Sequence, residues 1–254
     1  MADLLLPIFI NIPGVPFLIG SRIEELSDLA KAYGGTRESY REESPQHQLQ
    51  LPAYAIAKTP VTNQQYAAFV AATGAPAPLA WRGPHPPVGQ ADLPVVDVTW
   101  HQAQAFCAWA SMLVQQPIRL PSEAEWEHAA RGTDGRRFPW GEEWEQTRAI
   151  TRESGQAAAP VVASFPQGAS PYGVLDMAGG VWEWTATLDR LYPYDPHDGR
   201  EDPHADGRRI LRGGCYANPH GYARCACRFR LLPHVQNPFL GFRLARTLGS
   251  PTAE

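Results

Sequence analysis

Several features that define other protein classes are scarce in this 254-residue sequence. No run approaches the roughly 18 to 20 consecutive apolar residues of a membrane-spanning helix. The 22 basic residues are outnumbered by 26 acidic ones, so the net charge of −4 offers no attraction to nucleic acid or to an anionic membrane. Only Lys31 and Lys58 are lysines, a skew towards arginine that points to a GC-rich genome more than to chemistry.

Cysteine is also scarce, with four residues in a chain too long for a disulfide-stabilised miniprotein. Cys107 stands alone, whereas Cys215, Cys225 and Cys227 fall within 13 residues. The N-terminus Met1–Ile10 is apolar but lacks the basic region and the small-residue cleavage site of a signal peptide, so it predicts a first strand. We therefore expect a cytoplasmic protein with reduced thiols.

Common catalytic motifs are absent too. The sequence has no P-loop, G-x-G-x-x-G, H-E-x-x-H or G-x-S-x-G pattern, and the Cys225 and Cys227 pair lacks the second pair of a structural zinc site. What it does have is 44% hydrophobic residues together with 22 glycines and 25 prolines. That composition is typical of a globular, turn-rich chain.

Helical patterns lie early in the chain. Thr62 and Thr99 are predicted N-caps, and Ser122 with Glu125 forms a predicted capping box for a helix that runs to about Arg131. Gly74 is predicted to end the first of these three helices. A further short helix is expected at 23–32, and Cys107 is predicted to be a core residue on the face of the helix that Thr99 caps.

Strand patterns dominate the rest. Residues 8–10, 17–19 and the alternating segment 48–56 each predict a strand. From Phe138 onward the chain is a series of short, turn-bounded segments: 138–141, 161–165, 173–175, 181–185, 209–212, 222–230 and 241–244. Early helices and late strands predict an α+β class in a single domain, 1–254, rather than a wound α/β sheet.

Several of these segments together resemble one family. They are 11–20, 60–66, 119–132, 139–141, 181–185, 212–214 and 241–243, and in that order they look like the formylglycine-generating enzyme (sulfatase-modifying factor) family. The resemblance implies a variant C-type lectin fold with short helices, many short antiparallel strands and abundant loops.

The resemblance breaks at the catalytic cysteines. Formylglycine-generating enzymes bind copper through a C-x4-C pair just beyond the Gly-Gly pair, and thiolates suit Cu(I). Counted from Gly214, those positions are Asn218 and Ala223, which carry no thiol. We therefore expect the sulfatase-oxidising chemistry to be absent. Iron-dependent sulfoxide synthases share the fold but carry an additional helical domain with histidine ligands, for which this chain has neither the length nor the spacing.

Segment 212–246 resembles instead the variable region of diversity-generating retroelement proteins. The residues that match that pattern are Arg212, Gly213, Gly214, Asn218, Pro219, Arg224, Ala226, Arg228, Pro233 and Gly241 to Ala245. The positions between them are the candidate ligand-binding residues that the resemblance implies: Cys215, Tyr216, Ala217, His220, Tyr222, Cys225, Cys227, Phe229, Leu231, His234 and Val235.

The resemblance also implies a compositional test, since these retroelements mutate adenines and cannot reach Lys, Glu, Gln, Met or Trp. Of the 26 residues from Cys215 to Leu240 only Gln236 belongs to that set, against 41 of the other 228. The depletion has the expected direction, although apolar strands also lack these types. The three clustered cysteines then have three explanations: products of diversification, a metal or redox site, or core packing.

Side-chain chemistry refines these alternatives. In an extended segment Cys225 and Cys227 would share one face, opposite Ala226 and Arg228. Tyr216, Tyr222 and Phe229 fit either a binding surface or the core, and His220 and His234 are expected to be solvated. The arginines Arg224, Arg228 and Arg243 are predicted to hold loops through carboxylates and carbonyls, and Trp182 and Trp184 to be core residues.

Calcium is the only cofactor that the resemblance suggests. Asp176, Gly179, Val181 and Glu183 match positions where relatives bind it through carboxylate and main-chain oxygens, although Gly180 replaces the usual asparagine. The alternative is that Glu183 accepts hydrogen bonds from local backbone donors.

The leading hypothesis is a monomeric, non-enzymatic protein whose residues 215–240 bind an external protein or surface ligand, with neither nucleic acid nor membrane as partner. The rival is an oxidative enzyme of the formylglycine-generating or sulfoxide-synthase type. An inert accessory domain of a larger assembly is a third possibility.

Overall fold

The computed structural model describes residues 6–248 and contains four α-helices and ten strands in that range. The helices are α1 (Leu26–Tyr33), α2 (Asn63–Thr73), α3 (Trp100–Val114) and α4 (Glu123–Arg131). Short 3-10 helices lie at Ile23–Glu25, Arg37–Glu43, Leu79–Trp81, Arg152–Ser154, Pro166–Gly168 and His220–Ala223.

The three predicted N-caps are confirmed, and the helix expected at 23–32 is a 3-10 turn at Ile23–Glu25 followed by α1. Thr62 Oγ1 accepts a hydrogen bond from the Gln65 backbone N at 3.3 Å, and Gln65 Oε1 accepts one from the Thr62 N at 2.9 Å. The same reciprocal capping box opens α3 at Thr99 and α4 at Ser122. Gly74 ends α2 as predicted, because its φ of +71° suits a residue without a side chain.

The strands form three sheets. The bounds are β1 (Phe9–Ile12), β2 (Pro16–Ile19), β3 (His47–Gln50), β4 (Tyr54–Ala57), β5 (Ile118–Arg119), β6 (Trp182–Leu188), β7 (Arg209–Arg212), β8 (Phe229–Leu231), β9 (Leu240–Phe242) and β10 (Ala245–Thr247). One sheet has the order β1-β4-β10-β5, a second pairs β2 with β3, and the third has the order β8-β7-β6-β9. All pairs are antiparallel except β6 with β9.

Several strand predictions need correction. The segment 48–56 is two strands in different sheets, because Pro52 interrupts the alternation between β3 and β4. Segments 161–165 and 173–175 contain no strand, and 138–141 forms only an isolated bridge. The predicted first strand begins at Phe9, and residues 1–5 lie outside the described range.

Two large hydrophobic clusters fill most of the interior, and a small third cluster contains Ala149, Ala178 and Ala223. The first packs α2 and α3 against the third sheet, with Tyr66, Phe106 and Trp184 at its centre and Cys107 among its members, as predicted. The second surrounds α4 and includes Trp126 and Phe17. Among residues 6–248, no helix is long and apolar enough to cross a membrane.

Candidate ligand-binding face

The segment 212–246 surrounds the central strand of the third sheet. It leaves β7, passes through the 3-10 helix His220–Ala223 into β8, and returns as β9 on the other side of β6. Glu183 on β6 is therefore paired in register with Arg212 on β7 and with Gly241 on β9. The third sheet fixes the segment at Arg212 and at β9, and its last residues, Ala245 and Arg246, join β10 of the first sheet. Outside β8, the residues between Arg212 and β9 depend on side-chain contacts.

Four buried arginines supply those contacts. Arg212 Nη2 lies 2.8 Å from Glu123 Oε2, and Arg228 Nε lies 2.7 Å from the same atom. Burial opposes the ionisation of Glu123, but Arg228 and Arg212 outweigh it and hold the pKa of this carboxyl below its usual value. These two arginines therefore anchor the segment to the N-terminus of α4.

The other two arginines anchor its middle and its end. Arg224 Nη2 lies 2.9 Å from Glu43 Oε1, and Arg243 Nη2 lies 2.7 Å from Glu183 Oε1. The guanidinium of Arg243 also donates to the carbonyls of Ala57 and Leu175 at 3.1 Å. The predicted loop-holding role of these arginines is confirmed. We call Arg212, Arg224, Arg228 and Arg243 with their carboxylates the arginine frame.

The aromatic candidates lie on the outside of this frame. The side chains of Tyr222 and Phe229 are each 42% exposed. The Phe229 ring stacks on Trp182 at 5.4 Å between centroids, and the Tyr222 ring meets the edge of the same indole at 6.3 Å. Trp182 itself is buried, as predicted, so it forms the floor beneath two accessible rings.

The remaining non-cysteine candidates divide by accessibility. Ala217 and His234 are exposed, whereas Tyr216, His220, Leu231 and Val235 are half-buried. His220 is less solvated than expected, because its Nδ1 lies 3.0 Å from Glu153 Oε1 and its ring stacks on Trp144 at 5.1 Å. We call these six residues, with Tyr222 and Phe229, the accessible face.

The three cysteines lie inside the protein. Cys215 and Cys227 belong to the first hydrophobic cluster and Cys225 to the second. The expectation that Cys225 and Cys227 share a face of an extended segment is wrong, because the chain turns there and the Cys227 N donates to the Arg224 carbonyl at 3.0 Å. Burial raises the pKa of both thiols to about 12, so they are protonated at neutral pH.

The positions of the family's catalytic cysteines are now visible as well. Asn218 Oδ1 accepts hydrogen bonds from Trp182 Nε1 at 2.8 Å and from Cys215 Sγ at 3.0 Å. Ala223 is fully buried. Neither residue supplies a soft ligand, so the residues at these positions do not fit copper.

The proposed calcium ligands do not fit that ion either. Glu183 is fully buried, and Trp126 Nε1 donates to its Oε2 at 2.8 Å while Arg243 holds both carboxylate oxygens. Asp176 Oδ2 accepts from the Ala163 N at 2.8 Å. A calcium ion would have to displace a buried guanidinium from Glu183. Within residues 6–248, no group of three His, Cys, Asp or Glu side chains is arranged to hold a metal.

A cleft beside the accessible face could not be predicted from the sequence. It has a volume of about 260 Å³, and Tyr33, Tyr40 and Tyr222 line it. Tyr33 and Tyr40 precede Tyr222 by far in the sequence, and no periodicity or motif connects them. Only the packing of α1 and the 3-10 helix Arg37–Glu43 against the segment brings the three rings together.

With this geometry in place, comparison with known proteins identifies the family. Residues 5–248 match the model of the sulfatase-modifying factor enzyme 1-like domain. The chain belongs to this family. Relatives include the formylglycine-generating enzyme of Streptomyces coelicolor, which is 34% identical over 80% of this chain and 81% of its own length.

Two further relatives of the family are longer proteins. Hercynine oxygenase of Mycolicibacterium smegmatis is 31% identical over 92% of this chain, which spans 60% of that protein. Serine/threonine-protein kinase pkn1 of Chlamydia caviae is 34% identical over 84% of this chain, which spans only 36% of the kinase.

Solved structures confirm the α+β fold with its lectin-like, loop-rich architecture. PvdO from Pseudomonas aeruginosa superposes with a TM-score of 0.79 at 26% identity and covers 97% of both chains. Treponema denticola variable protein 1 superposes with a TM-score of 0.73 at 25% identity, covering 94% of this chain and 95% of its own. The resemblance to both enzymes and variable proteins of this fold is thus confirmed.

Proposed function

We propose that this chain is a ligand-binding member of its family, and that a retroelement diversifies the residues of its accessible face. The observation that carries this proposal is a division within one short segment. The arginines that match the retroelement scaffold, such as Arg212 and Arg224, are buried in ion pairs, whereas Tyr222 and Phe229, which lie between scaffold positions, are open to solvent. Side chains on such a supported surface can change recognition without disturbing the core.

The chemistry of the face suits binding. Tyrosine and phenylalanine provide large contact areas at low cost in conformational entropy, and both rings here rest on a buried indole. The likeness to Treponema denticola variable protein 1 supports the proposal. The ligand we propose is an external protein or a surface structure, with neither nucleic acid nor membrane involved.

The deciding experiment is to sequence codons 212–246 and their genomic neighbourhood in independent isolates. We expect a near-repeat of these codons beside a reverse transcriptase gene, differing mainly at adenines. Replacements should concentrate at the eight positions of the accessible face, while the codons for the arginine frame stay constant as the matched control. If no repeat exists, or if replacements spread evenly over the segment, the proposal fails.

The relatives of known oxidative function support a second candidate. The formylglycine-generating enzyme is 34% identical to this chain, and Cys215 Sγ lies within 3.0 Å of Asn218, one of the former catalytic positions. Titrating the reduced protein with Cu(I) or Fe(II) tests this oxidative alternative. Stoichiometric binding that disappears in Cys215→Ser, or in Cys225→Ser with Cys227→Ser, would favour the enzyme over the binding protein.

A further inference from the structure

Each buried glutamate among the described residues forms an ion pair with an arginine, but the largely buried carboxyl of Glu201 does not. The five buried glutamates of residues 6–248 each pair with at least one arginine: Glu43, Glu123, Glu125, Glu127 and Glu183. Glu201 is half-buried as a residue, yet its Oε2 atom is shut off from solvent and has no hydrogen-bond partner in the described structure. No arginine or lysine of the described residues lies within ion-pair distance of it.

The arginines near Glu201 bind other acceptors. Arg200 binds Asp198 at 2.8 Å, and the guanidinium of Arg209 donates to the carbonyls of Ala186, Asp202 and Ala205. Arg119 holds both oxygens of Glu125 at 2.6 Å. The part of the chain that the structure describes therefore offers Glu201 no counter-ion.

Only hydroxyl groups stabilise the Glu201 carboxyl. Tyr194 donates to its Oε1 at 2.5 Å and Thr187 donates to the same atom at 2.7 Å. The pKa of Glu201 is raised to about 7 as the net result of several causes. Burial raises it most, the hydroxyls of Tyr194 and Thr187 oppose the shift, and the carboxylates of Glu123 and Glu125 add to it. Near neutral pH the group is divided between its neutral and its charged form.

Glu201 lines a cleft with room for a ligand. The cleft has a volume of about 280 Å³ and is lined also by Leu51, Pro52 and Ala186, which provide an apolar wall. Arg119 and Glu125 line it too, but they are bound to each other, so their charges compensate and Glu201 is the carboxyl without a partner. A volume of this size lies just below the roughly 300 to 1,000 Å³ of typical ligand pockets, so it suits a headgroup with a short aliphatic chain. None of its lining residues belongs to the accessible face.

We propose that this cleft binds an organic cation, an ammonium or guanidinium group on a short aliphatic chain, with Glu201 as its counter-ion. The ligand supplies the positive charge that an arginine supplies to the five buried glutamates. The aliphatic chain packs against the apolar wall, and the carboxyl turns its Oε2 towards the cationic group. This site is independent of the proposed accessible face.

The test uses n-butylammonium as the probe and n-butanol as its neutral control. Carbon-13 labelling of glutamate carboxyls lets NMR follow Glu201, and the isosteric variant Glu201→Gln identifies its resonance. We expect n-butylammonium to bind with a millimolar Kd and to lower the pKa of Glu201 by at least half a unit. Its affinity should rise about eightfold from pH 5.5 to 6.5, because only the charged carboxylate attracts it and its fraction grows by that factor when the pKa is about 7. Butanol should neither lower the pKa of Glu201 nor bind with an affinity that depends on pH.

Two variants complete the design. Glu201→Gln is expected to weaken n-butylammonium binding at pH 7.5 at least tenfold, whereas Tyr222→Ser, outside the cleft, leaves it unchanged. Equal binding of butylammonium and butanol, or no effect of the amine on the Glu201 pKa at 50 mM, would overturn the proposal. The wild-type titration alone decides the question if Glu201→Gln fails to fold. The outcome of this test does not depend on whether the accessible face varies.

Discussion

The arginine frame and the accessible face alternate within one segment, 212–246, but they meet opposite environments. Frame residues such as Arg212 and Arg243 are fully buried and bound to buried carboxylates, whereas Tyr222 and Phe229 expose two fifths of their surface. An uncompensated buried charge is costly, while an exposed side chain has few contacts to lose. The same stretch of chain can therefore be rigid in its backbone and permissive at its surface.

The strongest challenge to this comparison is the removal of a frame arginine. In Arg243→Met, Glu183 loses its only guanidinium partner within residues 6–248 while remaining buried, so we expect the free energy of unfolding to fall by about 3 to 5 kcal/mol. Urea denaturation at pH 7 measures it. The control Arg41→Met removes an exposed pair with Glu38 and should cost less than about 1 kcal/mol. Equal costs would mean that the frame is not structural.

The next largest effect is the pH dependence of stability that Glu201 causes. The pKa of Glu201 is raised from 4.5 to about 7 on folding, so the unfolded chain releases this proton more easily than the folded one. The contribution to stability is complete below pH 4.5 and is lost as the pH rises through 7, by up to about 3 kcal/mol. Denaturation of wild type and Glu201→Gln from pH 4 to 8 measures the difference. If the difference between the two proteins does not vary with pH, the carboxyl titrates normally.

A smaller effect is expected at the cysteines, which the sequence grouped with the accessible positions although the structure buries them. Cys225→Tyr places a large ring in a fully buried site, and overpacking of this kind costs about 1 to 3 kcal/mol. Urea denaturation of the reduced protein measures it. If the free energy of unfolding falls by less than about 0.5 kcal/mol, Cys225 tolerates substitution and belongs with the variable positions.

The smallest effects are expected on the accessible face itself. Tyr222→Ser and His234→Ser change exposed side chains, so the free energy of unfolding should move by no more than about 0.5 kcal/mol for His234 and about 1 kcal/mol for Tyr222, which touches Trp182. The same urea experiment applies. Losses as large as that of Arg243→Met would remove the distinction between frame and face.

Much of the helical structure could be predicted, because its signals are local. The capping boxes at Thr62, Thr99 and Ser122 involve residues only three positions apart, and each opens a helix in the structure. Strands were harder to predict. The alternation over 48–56 is genuine, but it does not say which sheet each half joins, and the chain places the halves in different sheets.

The candidate site divides in the same way. The identities of Asn218 and Ala223 follow from counting along the sequence, as does the absence of thiolates at those positions. The burial of Cys225 does not, since it depends on a turn and on packing against α4. The floor that Trp182 provides for Phe229 and the tyrosine cleft depend on contacts between distant segments.

The sequence by itself determined the family resemblance, the N-caps at Thr62, Thr99 and Ser122, and the absence of thiols at Asn218 and Ala223, because these depend on residue types at fixed short spacings. Only the tertiary structure decided which of the eleven candidate positions face the solvent and that Arg243 binds the carboxylate of Glu183, a residue matched to a calcium ligand. It also decided that Glu201 has no counter-ion among residues 6–248. The physical reason is the distance along the chain between the residues that interact. The Arg224 and Glu43 pair joins residues 181 positions apart, and pairing of buried charges over such distances is set by the packing of the whole chain.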